Sequence, residues 1–212
     1  MPEETRAGFH RDLEEIDQKV VQLFALVAEG VGKATDAFLA NDREAAESMI
    51  ETDAVIDQLY TEVEGLVQHQ FALQSPMARD MRFLLSVLRI VPELERSGDL
   101  AEHIASRATR GVSDNVTPRM RGLIEEMGHI GTQMWREAAD GYVDRDPHVA
   151  SRLNERDDDL DELHGSITAE LVAGHVDVPI ALEMALIARF YERLGDHAVN
   201  IGERIRYMAE GP

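Results

Sequence analysis

The sequence predicts an all-α protein of two tandem, pseudo-symmetric three-helix bundles built from six long helices. Three observations carry this. Strong helix formers dominate, and apolar residues recur at three- and four-residue spacing. Aromatics are only 5% of the 212 residues, which disfavours a β fold. The chain also repeats itself at a fixed offset, so each half is one copy of the same unit.

Five breaks divide the helices: Asn41-Asp42, Gln74-Ser75-Pro76, Gly111 to Pro118, Asp144 to Pro147, and Gly174 to Pro179. They place helices near 6–40, 43–72, 77–110, 118–143, 147–173 and 179–209. Ser75, Thr117 and Asp146 each precede a proline, which reads as an N-cap followed by Pro in the first helical turn. On the fifth helix Val149, Leu153, Leu160, Ile167 and Leu171 share one face, a single apolar seam. On the sixth the stripe runs through Ile187, Phe190, Leu194, Ile201, Ile205 and Met208.

The repeat is explicit. Lys33-Ala-Thr-Asp-Ala-Phe-Leu-Ala-Asn-Asp42 aligns with Glu137-Ala-Ala-Asp-Gly-Tyr-Val-Asp-Arg-Asp146 at an offset of 104. Glu95-Arg-Ser-Gly-Asp-Leu-Ala-Glu-His-Ile104 aligns with Glu192-Arg-Leu-Gly-Asp-His-Ala-Val-Asn-Ile201 at an offset of 97. The second copy is therefore shorter between its second and third helices. The boundary falls in the Gly111 to Pro118 break, giving units 1–112 and 113–212, each expected to bury its own seam.

Charge narrows the function. With 41 acidic and 21 basic residues the net charge is −20. That argues against nucleic-acid binding, which needs an excess of Lys and Arg, and against electrostatic docking to anionic lipid. There is no cysteine, so disulfides and thiolate metal sites are excluded. Apolar residues reach 44%, enough for a core, so the acidity does not signal disorder. The polar start of the chain has no secretory h-region, and the longest apolar stretch, Phe83 to Val91, is interrupted and too short to span a bilayer. The expectation is a cytoplasmic protein without direct membrane insertion.

Four acid-x-x-x-acid pairs stand at equivalent repeat positions: Asp53/Asp57 and Asp157/Asp161 on the second helices, Glu95/Asp99 and Glu192/Asp196 on the third. Residues four apart share a helix face, and like charges there are mildly destabilising unless a cation lies between them. Carboxylates suit oxygen-preferring metals. In so acidic a chain roughly eight such pairs arise by chance, so recurrence at matched positions is the informative feature. Two readings stay open: metal sites in an outer groove between helices two and three of each unit, or solvated acidic faces. His103 and His197 adjoin the pairs in sequence as candidate helpers. Glu126-Met-Gly-His129 matches the Glu-x-x-His of di-iron bundles, but no second true copy exists. Gly98 and Gly195 lie inside the motifs at matched positions and point to a close approach of a helix or an ion. Pro92 is expected to kink the third helix, with no counterpart at Arg189, making the two sites unequal. No nucleophile elbow, P-loop or dinucleotide fingerprint appears, so the protein is not expected to be an enzyme.

The doubled Glu-Arg-x-Gly-Asp-x-x-x-x-Ile core, with Asp-x-x-x-Asp on each second helix, resembles the PhoU family over nearly the whole chain. The resemblance implies a cytoplasmic negative regulator of phosphate uptake and phosphate-starvation signalling, peripheral to membrane complexes through its partners. Those partners would be the ATPase of a phosphate ABC transporter and a phosphate-sensing histidine kinase, and the chain would form a homodimer. It also implies metal, whether iron, zinc, manganese or magnesium, at Asp53, Asp57, Glu95, Asp99, Asp157, Asp161, Glu192 and Asp196. Competing readings are a carboxylate-bridged metal store or oxidase, and an accessory subunit of another anion transporter.

Overall fold

The computed structural model describes residues 3–73 and 76–211. Six α-helices follow one another: α1 Glu3–Ala40, α2 Arg43–Leu73, α3 Arg79–Ala105, α4 Pro118–Asp144, α5 Val149–Val172 and α6 Val178–Glu210. Two short 3-10 turns, Ser106–Arg110 and Val112–Asn115, join the halves. No strand occurs among the described residues.

Local chemistry sets the ends. Asn41 adopts a left-handed φ of 50° and stops α1, while the Asp42 N–H returns to the Ala37 carbonyl at 2.9 Å. The Asp42 carboxylate then accepts from the Ala45 N–H and caps α2. The repeat reproduces this 104 residues on: Arg145, φ 54°, stops α4, and the Asp146 N–H returns to the Gly141 carbonyl at 3.0 Å. Thr117 caps α4 as expected, its hydroxyl accepting from the Met120 N–H ahead of Pro118.

Three expectations at helix ends are corrected or fall elsewhere. Asp146 does not cap α5: its carboxylate accepts from the His148 N–H, Pro147 lies outside the helix, and α5 starts at Val149. The third helix is α-helical only to Ala105, then tightens into a 3-10 turn ending at the left-handed Gly111. There Ser106 and Thr109 hydroxyls bond back to the His103 and Ser106 carbonyls, an alternative to the α ladder. The expected cap at Ser75 lies outside the described residues.

Within each half the three helices pack pairwise, α1 with α2 and α3, and α4 with α5 and α6. The halves meet through α1 against α4 and α3 against α6, leaving α2 and α5 on the outside. The core is one connected cluster running through both halves, with Phe24, Phe38, Trp135, Tyr142 and Tyr191 fully buried. On α5 Val149, Leu153, Leu160 and Ile167 of the expected seam are buried, and Leu171 near its end is only partly so. On α6 Phe190 of the expected stripe is only partly buried, and the buried set adds Met184, Tyr191, Gly195, Ala198 and Gly202, because this helix packs against α3 as well as α4 and α5. Close crossings rest on glycine. A side chain on Gly128 would overlap Thr35 across the α1–α4 contact, and one on Gly202 would meet the Ala150 backbone at 2.9 Å. No described helix is long and apolar enough to cross a membrane.

Candidate functional site

Two carboxylate clusters lie where α2 meets α3 and where α5 meets α6. In the first, Asp53 is half-buried and Asp57 exposed on α2, while Glu95 and Asp99 are half-buried on α3. The helices approach closely because residue 98 is glycine: a Cβ there would lie 2.8 Å from the end of Ile56 and 3.4 Å from Asp53 Oδ1. Gly98 thus makes room for an aspartate of the neighbouring helix. Burial, then the charges of Asp99 and Asp57, push the Asp53 carboxyl up to about 6. Burial and the same group of carboxylates also raise Glu95 and Asp99.

The second cluster repeats the arrangement. Asp157 is half-buried on α5 against Gly195 of α6, where any side chain would overlap its Oδ1. Burial, then Asp196, Asp161 and Glu192, push Asp157 up to about 6. Asp53 Oδ1, Asp157 Oδ1 and Glu192 Oε2 are buried without a hydrogen-bond partner, three acceptors to which the protein brings no donor. The sequence-predicted carboxylates are therefore brought together four and four. Among the described residues, however, no three His, Asp or Glu side chains are already drawn around one point as a finished coordination sphere. A cation would have to gather them. The donor set is all oxygen, as hard divalent and ferric ions require, and the orphaned acceptors give such an ion something to satisfy.

The clusters differ at their edges. His103 is exposed beside the first, bonded through Nδ1 to the Asp99 carbonyl at 2.6 Å. The matched residue at the second is Asn200, and Glu102 is matched by Val199. His197 serves elsewhere. It is buried at the α3–α6 contact, where Ser97 donates to the Glu93 carbonyl at 2.7 Å and so accepts from His197 Nδ1 at 2.9 Å. Burial, with Arg96 and Arg193 nearby, holds this imidazole neutral, down to about 4. Glu126 and His129 are both exposed on α4, so they do not form a core di-iron site.

One polar constellation was not visible in the sequence. Tyr142 donates to Asp17 Oδ1 at 2.8 Å, and Arg145 pairs with the same oxygen while stacking over the Tyr142 ring at 4.3 Å. It borders a cleft of about 710 Å³ at one end of the bundle, lined also by Leu13, Arg79, Arg82 and Phe83. The only advance signal was Arg145 standing where the first repeat has Asn41.

The PhoU domain profile matches residues 20–108 and again 124–205, one copy on each repeat. The chain belongs to the PhoU family. It is 31% identical over 209 residues to the phosphate-specific transport system accessory protein PhoU homolog 1 of Mycobacterium leprae, covering 97% of this chain and 94% of that protein. The crystal structure of PhoU from Pseudomonas aeruginosa superposes with a TM-score of 0.89 at 28% identity, over 96% of this chain and all of that one. The phosphate transport system regulatory protein PhoU from Streptococcus pneumoniae gives a TM-score of 0.87 at 26% identity, over 96% and 98% of the two chains. This PhoU-family chain thus shares the whole six-helix fold with its relatives, and its two acid clusters lie one within each matched domain copy.

Proposed function

We propose that this chain is an accessory, negative regulator of phosphate uptake and phosphate-starvation signalling. In this reading it is an adaptor between the ATPase of a phosphate ABC transporter and a phosphate-sensing histidine kinase. The observation that carries the reading is the end-to-end match to proteins named as accessory or regulatory parts of a phosphate transport system. The physical form suits an adaptor: two outward acid clusters on a body whose halves share one continuous core. We take the chain as two repeat units, 1–112 and 113–212, and as non-catalytic, since it has no recognisable nucleophile–base motif. It would work in the cytoplasm, at the membrane through its partners, as a homodimer.

The two clusters are read as metal sites. Asp53, Asp57, Glu95 and Asp99 would hold one ion or small cluster, and Asp157, Asp161, Glu192 and Asp196 the other, with iron, zinc, manganese or magnesium as candidates. Bound metal would supply positive charge that ties each outer helix to its neighbour. The chain's own residues do the rest: Gly98 and Gly195 admit the half-buried aspartates, and Asp53 and Asp157 present unpaired oxygens. A signal can act only by favouring one partner-bound state over another. Copurification tests the reading: the tagged chain should bring down the phosphate-transporter ATPase, and an ATPase that stays in the flow-through under all phosphate conditions contradicts it.

A further inference from the structure

The cleft at the end of the bundle gathers arginines that the protein leaves without partners. Arg79 and Arg82 stand on the first turn of α3 and line it, and neither is within ion-pair distance of a carboxylate among the described residues. The Nε of Arg82 is buried with no acceptor, a donor for which the chain supplies nothing. The helix start between them is open as well: Ala78 occupies the N-cap with φ 42°, and no described side chain accepts from the first turn, so the positive end of the α3 dipole borders the cleft. The opposite end of the bundle uses the same residue type and spends it. There Arg107 and Arg110 both pair with Glu183, Arg119 pairs with Glu170, and Arg121 donates to the Leu39 carbonyl. At the repeat offset of 97, Arg79, Arg82 and Phe83 fall on Val176, Pro179 and Ile180, so this set belongs to the first repeat alone. Arg145 also lines the cleft, but its charge is answered by Asp17 within the wall, and its guanidinium lies 5.5 Å from the centre of the Phe83 ring. Phe83, Leu13 and Met208 make the apolar part of the lining, and Glu14 and Asp80 add two carboxylates that no described cation pairs.

We propose that this cleft binds a nucleoside monophosphate. Two guanidinium groups one turn apart, at an uncapped helix start, suit a phosphoryl group, which offers several oxygens to planar donors and to the dipole. The apolar wall with the Phe83 ring suits the flat face of a base. Glu14 and Asp80 accept from hydroxyls of the sugar and repel a bare inorganic anion, so the cleft favours a phosphate that carries hydrogen-bond donors. The volume of about 710 Å³ lies within the roughly 300–1,000 Å³ of small-molecule sites. A nucleic-acid strand would have to run over a body of net charge −20, whereas a single nucleotide meets only the cleft. None of the eight clustered carboxylates lines it, so the inference is independent of the metal and adaptor readings.

The test is isothermal titration of the full chain, with a chelator present so that the acid clusters hold no metal. The probes are AMP, GMP, adenosine, ribose-5-phosphate and inorganic phosphate. AMP or GMP should saturate at one per chain, and adenosine, ribose-5-phosphate and inorganic phosphate should each bind at least tenfold more weakly. Arg79→Gln, at an exposed position, should weaken nucleotide binding about tenfold, the worth of one charge-assisted hydrogen bond, without changing the Tm. Phe83→Leu should bring AMP down to the affinity of ribose-5-phosphate. Arg119→Gln at the opposite end of the bundle should change nothing. No saturable binding of AMP or GMP at millimolar concentration overturns the inference. So does inorganic phosphate or ribose-5-phosphate binding as tightly as the nucleotide, wild-type affinity in Arg79→Gln, or loss of binding in Arg119→Gln.

Discussion

Gly195 of α6 faces Asp157 of α5 so closely that a methyl group at residue 195 would overlap the carboxylate Oδ1. The first repeat relaxes this by about an ångström: at Gly98 the same methyl would lie 3.4 Å from Asp53 Oδ1 and would press instead on the mobile end of Ile56. Alanine in a helix is intrinsically about 1 kcal/mol better than glycine. At residue 98 that gain nearly offsets a small shift of Ile56. At residue 195 it does not, and Gly195→Ala should destabilise by about 1–2 kcal/mol net. Urea melts of both variants check the order, and Gly98→Ala being the more damaging would contradict it.

The raised carboxyls of Asp53 and Asp157 make the metal-free protein pH-sensitive. Each has a folded value of about 6 against 3.8 for an ordinary aspartate. A group raised by folding stabilises fully below its unfolded pKa, and that contribution is lost as pH rises through about 6. Both groups are partly solvent-exposed, so screening leaves about 1 kcal/mol each. Asp53→Asn and Asp157→Asn should therefore raise the metal-free Tm by about 2–4 °C at pH 7.5, and by much less at pH 4.5. A gain that is the same at both pH values would contradict the assignment.

The sequence shows the helices well because their ends are local chemistry. Asn41 with Asp42, and Thr117 with Pro118, act through neighbours within a few residues. It shows the eight carboxylates because the repeat duplicates them. Three facts were hidden because they are tertiary. Tyr191, Ala198 and Gly202 are buried by neighbours on more than one side of α6, which one helical wheel cannot reveal. His197 follows Asp196 directly, yet one residue is about 100° around a helix, enough to turn it into the α3–α6 contact. The loss of α geometry after Ala105 depends on how Ser106 and Thr109 bond, not on their helix propensity.

The two clusters should bind metal unequally. The first has His103 and Glu102 at its edge, where the second has Asn200 and Val199, and Pro92 removes one backbone donor from α3 only. Isothermal titration with Mn²⁺, Zn²⁺ or ferrous iron should resolve two affinities. Saturating metal, at about 100 times its dissociation constant, adds about 2.7 kcal/mol. The Tm should rise accordingly, by roughly 5–10 °C. Asp99→Asn should remove one binding event and Asp196→Asn the other. Absence of saturable binding at millimolar metal makes both clusters solvated acidic faces and leaves the regulatory reading standing.

Tyr191 links the halves through a polar contact in the core. Thr35 donates to the Val31 carbonyl at 2.8 Å and so accepts from the Tyr191 hydroxyl, also at 2.8 Å. Tyr191→Phe keeps the ring and leaves Thr35 its backbone bond, so the cost should be about 1 kcal/mol. Thr35→Val also removes the hydroxyl's partner and leaves the phenol unpaired at full burial, a cost of about 1–3 kcal/mol. Chemical denaturation of the two variants checks the ranking.

The regulatory claim is tested most directly by transcription from phosphate-starvation promoters after deletion of the gene, in phosphate-rich medium and in a strain without a paralogue. A negative regulator predicts derepression of those promoters, reversed by supplying the chain from a plasmid. Expression that stays at its phosphate-replete level in the deletion strain would contradict the account.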